Sequence, residues 1–256
     1  MSIYSVTFDG TDLSTLSGVD LYNHDTNKLP TRQININKIA RKDLSIVTSA
    51  EYVSKEITVY LDVCSSTRAG TEATLASIKG YITKPNGLLV ISQGGNDIEY
   101  TATMNEFSVS WLGPQAVVTI VFIASTPIGK QSTSVLLNSL PNITTSTTSQ
   151  ALTVTGSAVA YPVITVSITT VTGATNKSII LENGLIGQGI TVTRTWANLD
   201  VLVVDSLNLT ATVNGGAVDF TGVFPQFDVG AGQLNYTDNF TTRNVALTSY
   251  YQPRLV

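Results

Sequence analysis

The sequence predicts a mainly β protein of two domains with one helix, on three observations. Apolar and polar residues alternate in most segments, the period of two that half-buried strands show. After residue 150, short apolar segments follow one another with turn residues between them, as in antiparallel sandwiches. Helical spacing is sustained in one segment, 65–87.

The first half of the chain contains strands separated by that one helical segment. The helix is predicted to begin after Ser66 or Thr67, either of which can cap it, and to end at "KPNG". Its apolar stripe consists of Thr71, Leu75, Ile78 and Ile82. The predicted strands are "RQININ" (32–37), "EITVYLDV" (56–63), "DIEYTAT" (97–103) and "FSVSWL" (107–112).

The second half reads as strand almost throughout. Asn183-Gly184 and Asn214-Gly215 predict two-residue hairpin turns, because Asn and Gly tolerate positive φ. "FDVGAGQLNY" (227–236) is interpreted as a turn between strands, with Gly230 and Gly232 supplying backbone freedom. The predicted strands are 161–168, 177–182, 188–196, 200–205 and 208–213.

The Ser/Thr-rich segment 130–150 lacks sustained periodicity and is the best internal boundary. We therefore predict a first domain over 1–135, a linker over 136–150 and a second domain over 151–256.

Composition limits the classes of function. Charged residues make up 12% of the chain, and 18 acidic against 14 basic residues argue against a dedicated nucleic-acid binder. Cys64 is the single cysteine, which excludes an intrachain disulfide. The start, "MSIYSVTFDGTD", resembles no signal peptide, and no apolar run reaches membrane-spanning length. We expect no membrane insertion.

No catalytic or metal site is predicted. Cys64 and His24 are the one possible thiol–imidazole pair, but Cys64 ends an apolar strand and His24 lies in a polar turn. One His and one Cys make a zinc site improbable. The glycine clusters at 183–189 and 229–233 precede strands rather than the helix that a phosphate site needs. No cofactor is expected.

Two other functions stay open at this point. A hydrolase could use Glu182 and Asp205 as a carboxylate pair, although ends of strands exposed to solvent explain both. A carbohydrate-binding adhesin could stack a sugar on an exposed ring such as Trp196, although core packing explains most rings. The other aromatic residues of the second half are Phe224, Phe227, Tyr236, Phe240, Tyr250 and Tyr251.

The end of the chain, 212–256, resembles the C-terminal part of the distal tail proteins of long non-contractile-tailed bacteriophages (siphophages). The matching features are the Asn214-Gly215 hairpin, the turn at Phe224-Pro225 and a closing strand with Tyr251 and Arg254; the turn also includes Gly232 and Asn235. "GAGQLN" departs from the commoner "PGxN" form of that turn.

The first half agrees with this family in layout. "VTFDG" (6–10) resembles its opening, 29–63 resembles its long β-hairpin, and the helix of 67–83 falls where that fold has one. The resemblance implies a ring-forming, tail-tube-like β-sandwich or split barrel, followed by a galectin-like antiparallel β-sandwich.

The resemblance further implies a non-enzymatic structural role in the virion, with assembly in the host cytoplasm. The chain would form a homo-hexameric ring that joins the tail tube protein to the tail hub or tip and to receptor-binding or fibre proteins. Phage DNA would pass through the central channel without specific binding.

Candidate contacts follow from this resemblance and from the residues of the hairpin segment. The expected subunit interface consists of Arg32, Ile34, Ile36, Arg41, Lys42 and Tyr52, and Lys38 adds charge to the same segment. Deleting 25–60 is expected to leave a folded monomer. The expected saccharide or partner contacts are Trp196, Tyr250 and Tyr251.

Overall fold

The computed structural model describes residues 4–26, 28–38, 45–93 and 96–255. The protein is mainly β, with several antiparallel sheets, which confirms the predicted fold class. It divides into two compact units, with the boundary between Ser132 and Thr133.

The first unit is built on one antiparallel sheet. Its strands are β1 (Tyr4–Phe8), β2 (Thr11–Asp12), β3 (Val19–Asp25), β4 (Thr31–Lys38), β5 (Ser45–Val63), β6 (Gly87–Gln93), β7 (Asn96–Leu112), β8 (Gln115–Ala124) and β9 (Gly129–Gln131). The order across the sheet is β2-β1-β6-β7-β8-β5-β3, with β4 paired to β5 and β9 paired to β7.

The helix α1 (Arg68–Ile82) forms as the sequence predicts. The Thr67 hydroxyl accepts a hydrogen bond from the Gly70 amide at 3.1 Å, which satisfies one of the free donors of the first turn. All four residues of the predicted stripe are buried. A shorter 3-10 turn, Leu13–Thr15, is capped by Asp12.

The core of the first unit lies on the inner face of its sheet. Ile57, Val59 and Leu61 of β5 are buried and face this side, in register with buried residues of β8. The Phe8 ring stacks on Phe122 with centroids 5.3 Å apart. Burial of each such side chain contributes about 1.5–3 kcal/mol.

The second unit is a sandwich of two antiparallel sheets around one core. Its strands are β10 (Val135–Ile143), β11 (Thr147–Val154), β12 (Val163–Thr172), β13 (Lys177–Asn183), β14 (Gln188–Arg194), β15 (Val201–Asp205), β16 (Thr210–Val213), β17 (Gly216–Ala217), β18 (Thr221–Gly222), β19 (Gly230–Asp238) and β20 (Thr242–Tyr251). The short strand β21 (Arg254–Leu255) belongs to the same unit but to neither of its two sheets. The sheet orders are β10-β20-β12-β15-β16-β17 and β11-β19-β13-β14-β18.

The segment 136–150 is not a linker, contrary to the prediction. β10 pairs with β20 and β11 pairs with β19, so each forms an edge of one sheet. Leu137 and Ile143 are buried in the sandwich core. The segment looked irregular because register shifts interrupt β10 and because the exposed face of an edge strand is rich in Ser and Thr.

One of the two predicted Asn-Gly hairpin turns forms, and the other does not. Asn214 and Gly215 have φ of 52° and 81° and join β16 to β17 in a two-residue turn, as predicted. Asn183-Gly184 does not form the predicted two-residue turn. Asn183 is the last residue of β13, and four residues separate it from β14.

Most of "FDVGAGQLNY" is strand rather than turn, because β19 starts at Gly230, whose φ is 104°. Gly232 lies within that strand, where a Cβ would approach Leu152 Cδ1 to 2.6 Å. Phe227 and Tyr236 are both buried.

Candidate assembly surfaces

The β4–β5 hairpin is the longest single feature of the first unit. Residues 55–63 of β5 pair with β8 inside the sheet, whereas 45–54 pair with β4. In the described residues, the segment 45–54, which is the first part of β5, has no other strand partner. The hairpin therefore extends a strand of the core into an arm that pairs only with itself.

Exposed apolar side chains lie at the base of this arm. The exposed fractions of Tyr52 and Val53 are 43% and 49%, and that of Leu29 is 77%. The Glu56 carboxylate accepts a hydrogen bond from Lys28 Nζ, and this bond raises the pKa of Lys28. The base therefore combines apolar surface with one exposed ion pair.

A buried lysine lies where the arm leaves the core. Lys55 is 2% exposed, and its Nζ lies 5.6 Å from the centroid of the buried Tyr100 ring. Burial lowers the pKa of Lys55, and burial raises the pKa of Tyr100 to about 12. The ring partly compensates the buried charge by a cation–π contact.

The predicted interface residues fall on this arm, but the structure describes few of their side chains. Tyr52 is exposed, and β4 carries Arg32, Ile34 and Ile36 in its backbone register. The side chains of those three residues, and Arg41 and Lys42 entirely, lie outside the described residues. Their role as an interface remains a prediction.

Two of the three predicted contact rings of the second unit are buried, which contradicts the expectation that they are exposed. Trp196 is 3% exposed, packs edge-on against Phe240, and donates its Nε1–H to the Lys177 carbonyl at 2.8 Å. The Tyr251 hydroxyl accepts a hydrogen bond from the Thr155 amide at 2.8 Å. Neither ring offers a free face to a sugar, because each fills the core.

Tyr250 is exposed, and its neighbours are apolar. It lies opposite Leu136 of β10 and Val163 of β12, which are 51% and 36% exposed. The three side chains form one row on the outer face of the six-stranded sheet. Sequence alone pointed to Tyr250, but the two flanking residues emerge only from the strand register.

The carboxylate pair proposed for a hydrolase does not meet. Glu182 lies on the outer face of one sheet and Asp205 on the outer face of the other, since their neighbours Leu181 and Val204 point into the core. Sheets that pack face to face are about 10 Å apart, and outward side chains lie farther apart still. The Asp205 carboxylate instead accepts hydrogen bonds from the Leu207 and Asn208 amides.

Cys64 and His24 do not meet either. Cys64 is exposed, although its position at the end of an apolar strand favours a buried thiol. Its amide donates a hydrogen bond to the Gly18 carbonyl at one end of β3. His24 lies opposite Val59, five residues along β5 from Cys64, which corresponds to about 17 Å. Burial lowers the pKa of His24.

The second unit contains a buried ion pair that was not predicted from the sequence. Arg243 Nε donates to the fully buried Asp238 carboxylate at 2.8 Å. Asp238 also accepts the Tyr236 hydroxyl at 2.8 Å and the Phe240 amide at 2.9 Å. Burial, and then the Asp238 charge, raise the pKa of Tyr236. The Asp–Arg spacing of five along a hairpin was the available signal.

Among the residues that the structure describes, no three His, Cys, Asp or Glu side chains are grouped so that they could hold a metal ion. Among those residues, no helix has the length and apolar character needed to cross a bilayer.

The chain is similar to a known protein in its fold, whereas its sequence matches neither a family model nor a curated protein. No protein-family model matches the sequence, and no curated protein matches it. Among solved structures, the crystal structure of phage SPP1 Dit (gp 19.1) aligns with this chain with a TM-score of 0.71. That protein is described as a paradigm of the hub adsorption apparatus in phages infecting Gram-positive bacteria. The alignment covers 99% of both chains at 15% identity.

Two structures of the phage P2 baseplate in its activated conformation, with Ca and with Sr, align less well. The TM-scores are 0.43 and 0.41, at 9% and 10% identity. The alignments cover 98% and 96% of this chain, and 97% of the other chain in both cases. These scores are too low for a common fold to be inferred.

The sheets and the SPP1 alignment together define a class of protein, the mainly β proteins with a hairpin-bearing unit followed by a sandwich. More particularly, the chain has the fold of a siphophage distal tail protein. The resemblance identified in the sequence is confirmed at the level of the fold.

Proposed function

We propose that the protein is a structural component of a phage tail tip or baseplate. It forms a hexameric ring that connects the tail tube to the tail hub and leaves a channel for DNA. The observation that carries the proposal is the alignment with SPP1 Dit over 99% of both chains, which includes both units and the hairpin.

Physical features of the first unit support assembly. An arm with exposed apolar residues at its base gains stability when it lies on a neighbour, because the contact removes that surface from water. A head-to-tail contact whose rotation closes produces a ring. The charge-poor composition also suits large interfaces, whose centres are depleted in charge.

The proposed partners are the chain itself as a homo-hexamer, the tail tube protein, the tail hub or tip, and receptor-binding or fibre proteins. DNA passes through without specific binding, since a chain of net charge −4 repels a polyanion. The role is structural and not catalytic, and the protein is part of the virion after assembly in the host cytoplasm.

The proposed contacts are assigned to the two units separately. The arm, with Arg32, Ile34, Ile36, Arg41, Lys42 and Tyr52, forms the subunit interface. Tyr250, with Leu136 and Val163, contacts a partner protein. The alternative of an independent carbohydrate-binding adhesin loses its main support, because the Trp196 and Tyr251 rings are buried.

The solution mass of the purified chain, measured across a concentration series with negative-stain images of the largest species, tests the proposal. We expect a closed ring of six subunits with a central hole. A chain that stays monomeric at 27.2 kDa, even when mixed with the tail tube protein, would contradict it.

A further inference from the structure

A concave site of about 540 Å³ lies on the outer face of the first unit's sheet, at the edge formed by β3. Asp20 of β3 and Asp62 of β5 are register partners across this edge, and both line the site. Tyr22 lines it as well and is 60% exposed. The remaining lining residues include Cys64, Leu112 and Gln115.

The two carboxylates are an unfavourable pair as they stand. Like charges directly opposite each other on neighbouring strands destabilise a sheet. Among the described residues, no Lys or Arg lies within 4.0 Å of Asp20 or Asp62. A cation placed between them would remove the repulsion and be attracted by both charges.

The site fits a guanidinium better than an ammonium. Arginine presents planar N–H donors that bond two carboxylate oxygens at once, and its flat face stacks on aromatic rings. The Tyr22 ring is held beside Tyr60, with centroids 5.9 Å apart, and so offers such a face at the rim. Leu112, 65% exposed, adds apolar surface for the stem of the side chain.

The chain itself carries the complementary charge. Residues 28–54 contain five basic and two acidic side chains, although the chain as a whole is acidic. The four arginines outside this segment each contact a carboxylate or a ring of their own unit: Arg68, Arg194, Arg243 and Arg254. The two others, Arg32 and Arg41, belong to the arm.

We propose that the Asp20–Asp62 site receives an arginine of the β4–β5 arm from a second copy of the chain. The inference rests on the proposed function, since it names the surface on which the arm of each subunit lies. It also gives the contact a direction, from the arm of one copy to the β3 edge of the next, which is the head-to-tail arrangement that a ring needs.

The native Cys64 makes this contact measurable, because it lines the site, is exposed and is the single cysteine of the chain. The full-length variants Gln33→Cys and Ala40→Cys each add one thiol to the arm segment. Under air with copper phenanthroline, two thiols form one disulfide while two electrons reduce the copper and two protons enter the buffer. Non-reducing gels then show chain-to-chain ladders.

We expect at least one arm thiol to cross-link to Cys64 about tenfold or more faster than a thiol at Asp219→Cys, because a docked arm holds the thiol at high effective concentration. Asp219 is exposed in the second unit and serves as the control. Cross-links that persist in the Cys64→Ser background are subtracted. Rates equal to that of the control at both arm positions would overturn the proposal.

The double variant Asp20→Asn with Asp62→Asn tests the carboxylates themselves. Both aspartate side chains are exposed, and the asparagines that replace them have the same shape. Thermal unfolding checks that the variant is folded. We expect cross-linking to fall to the control rate. Asp219→Asn with Asp228→Asn makes the same change in net charge on exposed residues of the second unit and should leave the rate unchanged. Undiminished cross-linking in the first pair would exclude the carboxylates from the contact.

Failure of this inference is distinguishable from failure of the proposed ring. Fast trapping between chains that form no ring supports the contact and counts against the ring. Rings that persist in the Asp20→Asn, Asp62→Asn variant, with slow trapping, overturn the contact and leave the tail role intact.

Discussion

Large aromatic side chains fill the core of the second unit, and their polar atoms have hydrogen-bond partners there. Trp196 donates to the Lys177 carbonyl, Tyr251 accepts from the Thr155 amide, and Tyr236 donates to Asp238. A buried N–H or O–H without a partner costs about 1–3 kcal/mol, so each bond permits burial of the whole ring. These residues consequently stabilise the fold rather than contact a ligand.

Replacing Trp196 by Ala tests this assignment. The change removes a buried indole and leaves the Lys177 carbonyl without its donor, so we expect the free energy of unfolding to fall by about 3–5 kcal/mol. Urea unfolding measures the loss. Tyr250→Ala is the control, because it removes an exposed ring of the same unit and should cost much less. Equal stability of the two variants would contradict the burial of Trp196.

Tyr100 makes stability depend on alkaline pH. Burial raises its pKa to about 12, whereas the unfolded chain ionises near pH 10. Its contribution is therefore complete below pH 10 and is lost between about pH 10 and 12. Between pH 9 and 11 we expect the wild-type protein to lose about 1 kcal/mol more than Tyr100→Phe.

Denaturant unfolding at the two pH values measures this difference. Tyr250→Phe, which removes an exposed hydroxyl, controls for the loss of a tyrosine. A Tyr100→Phe variant that loses as much stability as the wild type would show that Tyr100 does not titrate as a buried group.

At the scale of elements, β5 has two roles along its 19 residues. Its second part contributes Ile57, Val59 and Leu61 to the core, and its first part forms the arm with β4. Deleting 25–60, which the sequence suggested would leave a folded monomer, therefore removes a central strand. The structure places the arm's boundary at the Thr31–Ser54 pair.

A smaller change isolates the arm. Replacing 32–53 by Asn-Gly joins Thr31 to Ser54 through a two-residue hairpin turn and keeps every strand of the core. We expect unchanged circular dichroism, a melting temperature close to that of the wild type, and loss of self-assembly in the solution mass. Rings formed by this variant would exclude the arm from assembly.

A variant with the full arm separates charge from shape in that experiment. Changing Arg32, Lys38, Arg41 and Lys42 to Gln keeps the length of the arm and removes its positive charge. If the arm binds through its charge, this variant should assemble as poorly as the shortened one. If the arm acts through its shape alone, this variant should assemble as the wild-type protein does.

At the scale of the whole molecule, each unit has its own hydrophobic core. The chain passes from one to the other between Ser132 and Thr133. The segment that follows is part of the sandwich, since β10 is an edge strand of one sheet and β11 is an edge strand of the other. The second unit therefore needs residues from 133 onward.

Two fragments test this boundary. We expect 133–256 to fold alone and unfold cooperatively, because it contains the complete sandwich core. The shorter 151–256 lacks half of β11 and all of β10, with the buried Leu137 and Ile143. It should be destabilised by several kcal/mol or fail to fold. Proton NMR spectra and thermal unfolding distinguish the two, and a well-folded 151–256 would contradict the assignment of β10 to the core.

The sequence by itself determined many of the strands, though not β10, β11 or the start of β19, together with the helix and its buried stripe and the Asn214-Gly215 turn. These features follow from spacing and from φ preferences of near neighbours. It also carried the resemblance to distal tail proteins, through the order of short motifs. Only the tertiary structure decided that Trp196 is inside, that Glu182 and Asp205 lie on opposite faces, and that Asp20 lies across from Asp62. Those facts depend on which strands pair and in which register, and local sequence does not encode pairing between distant segments.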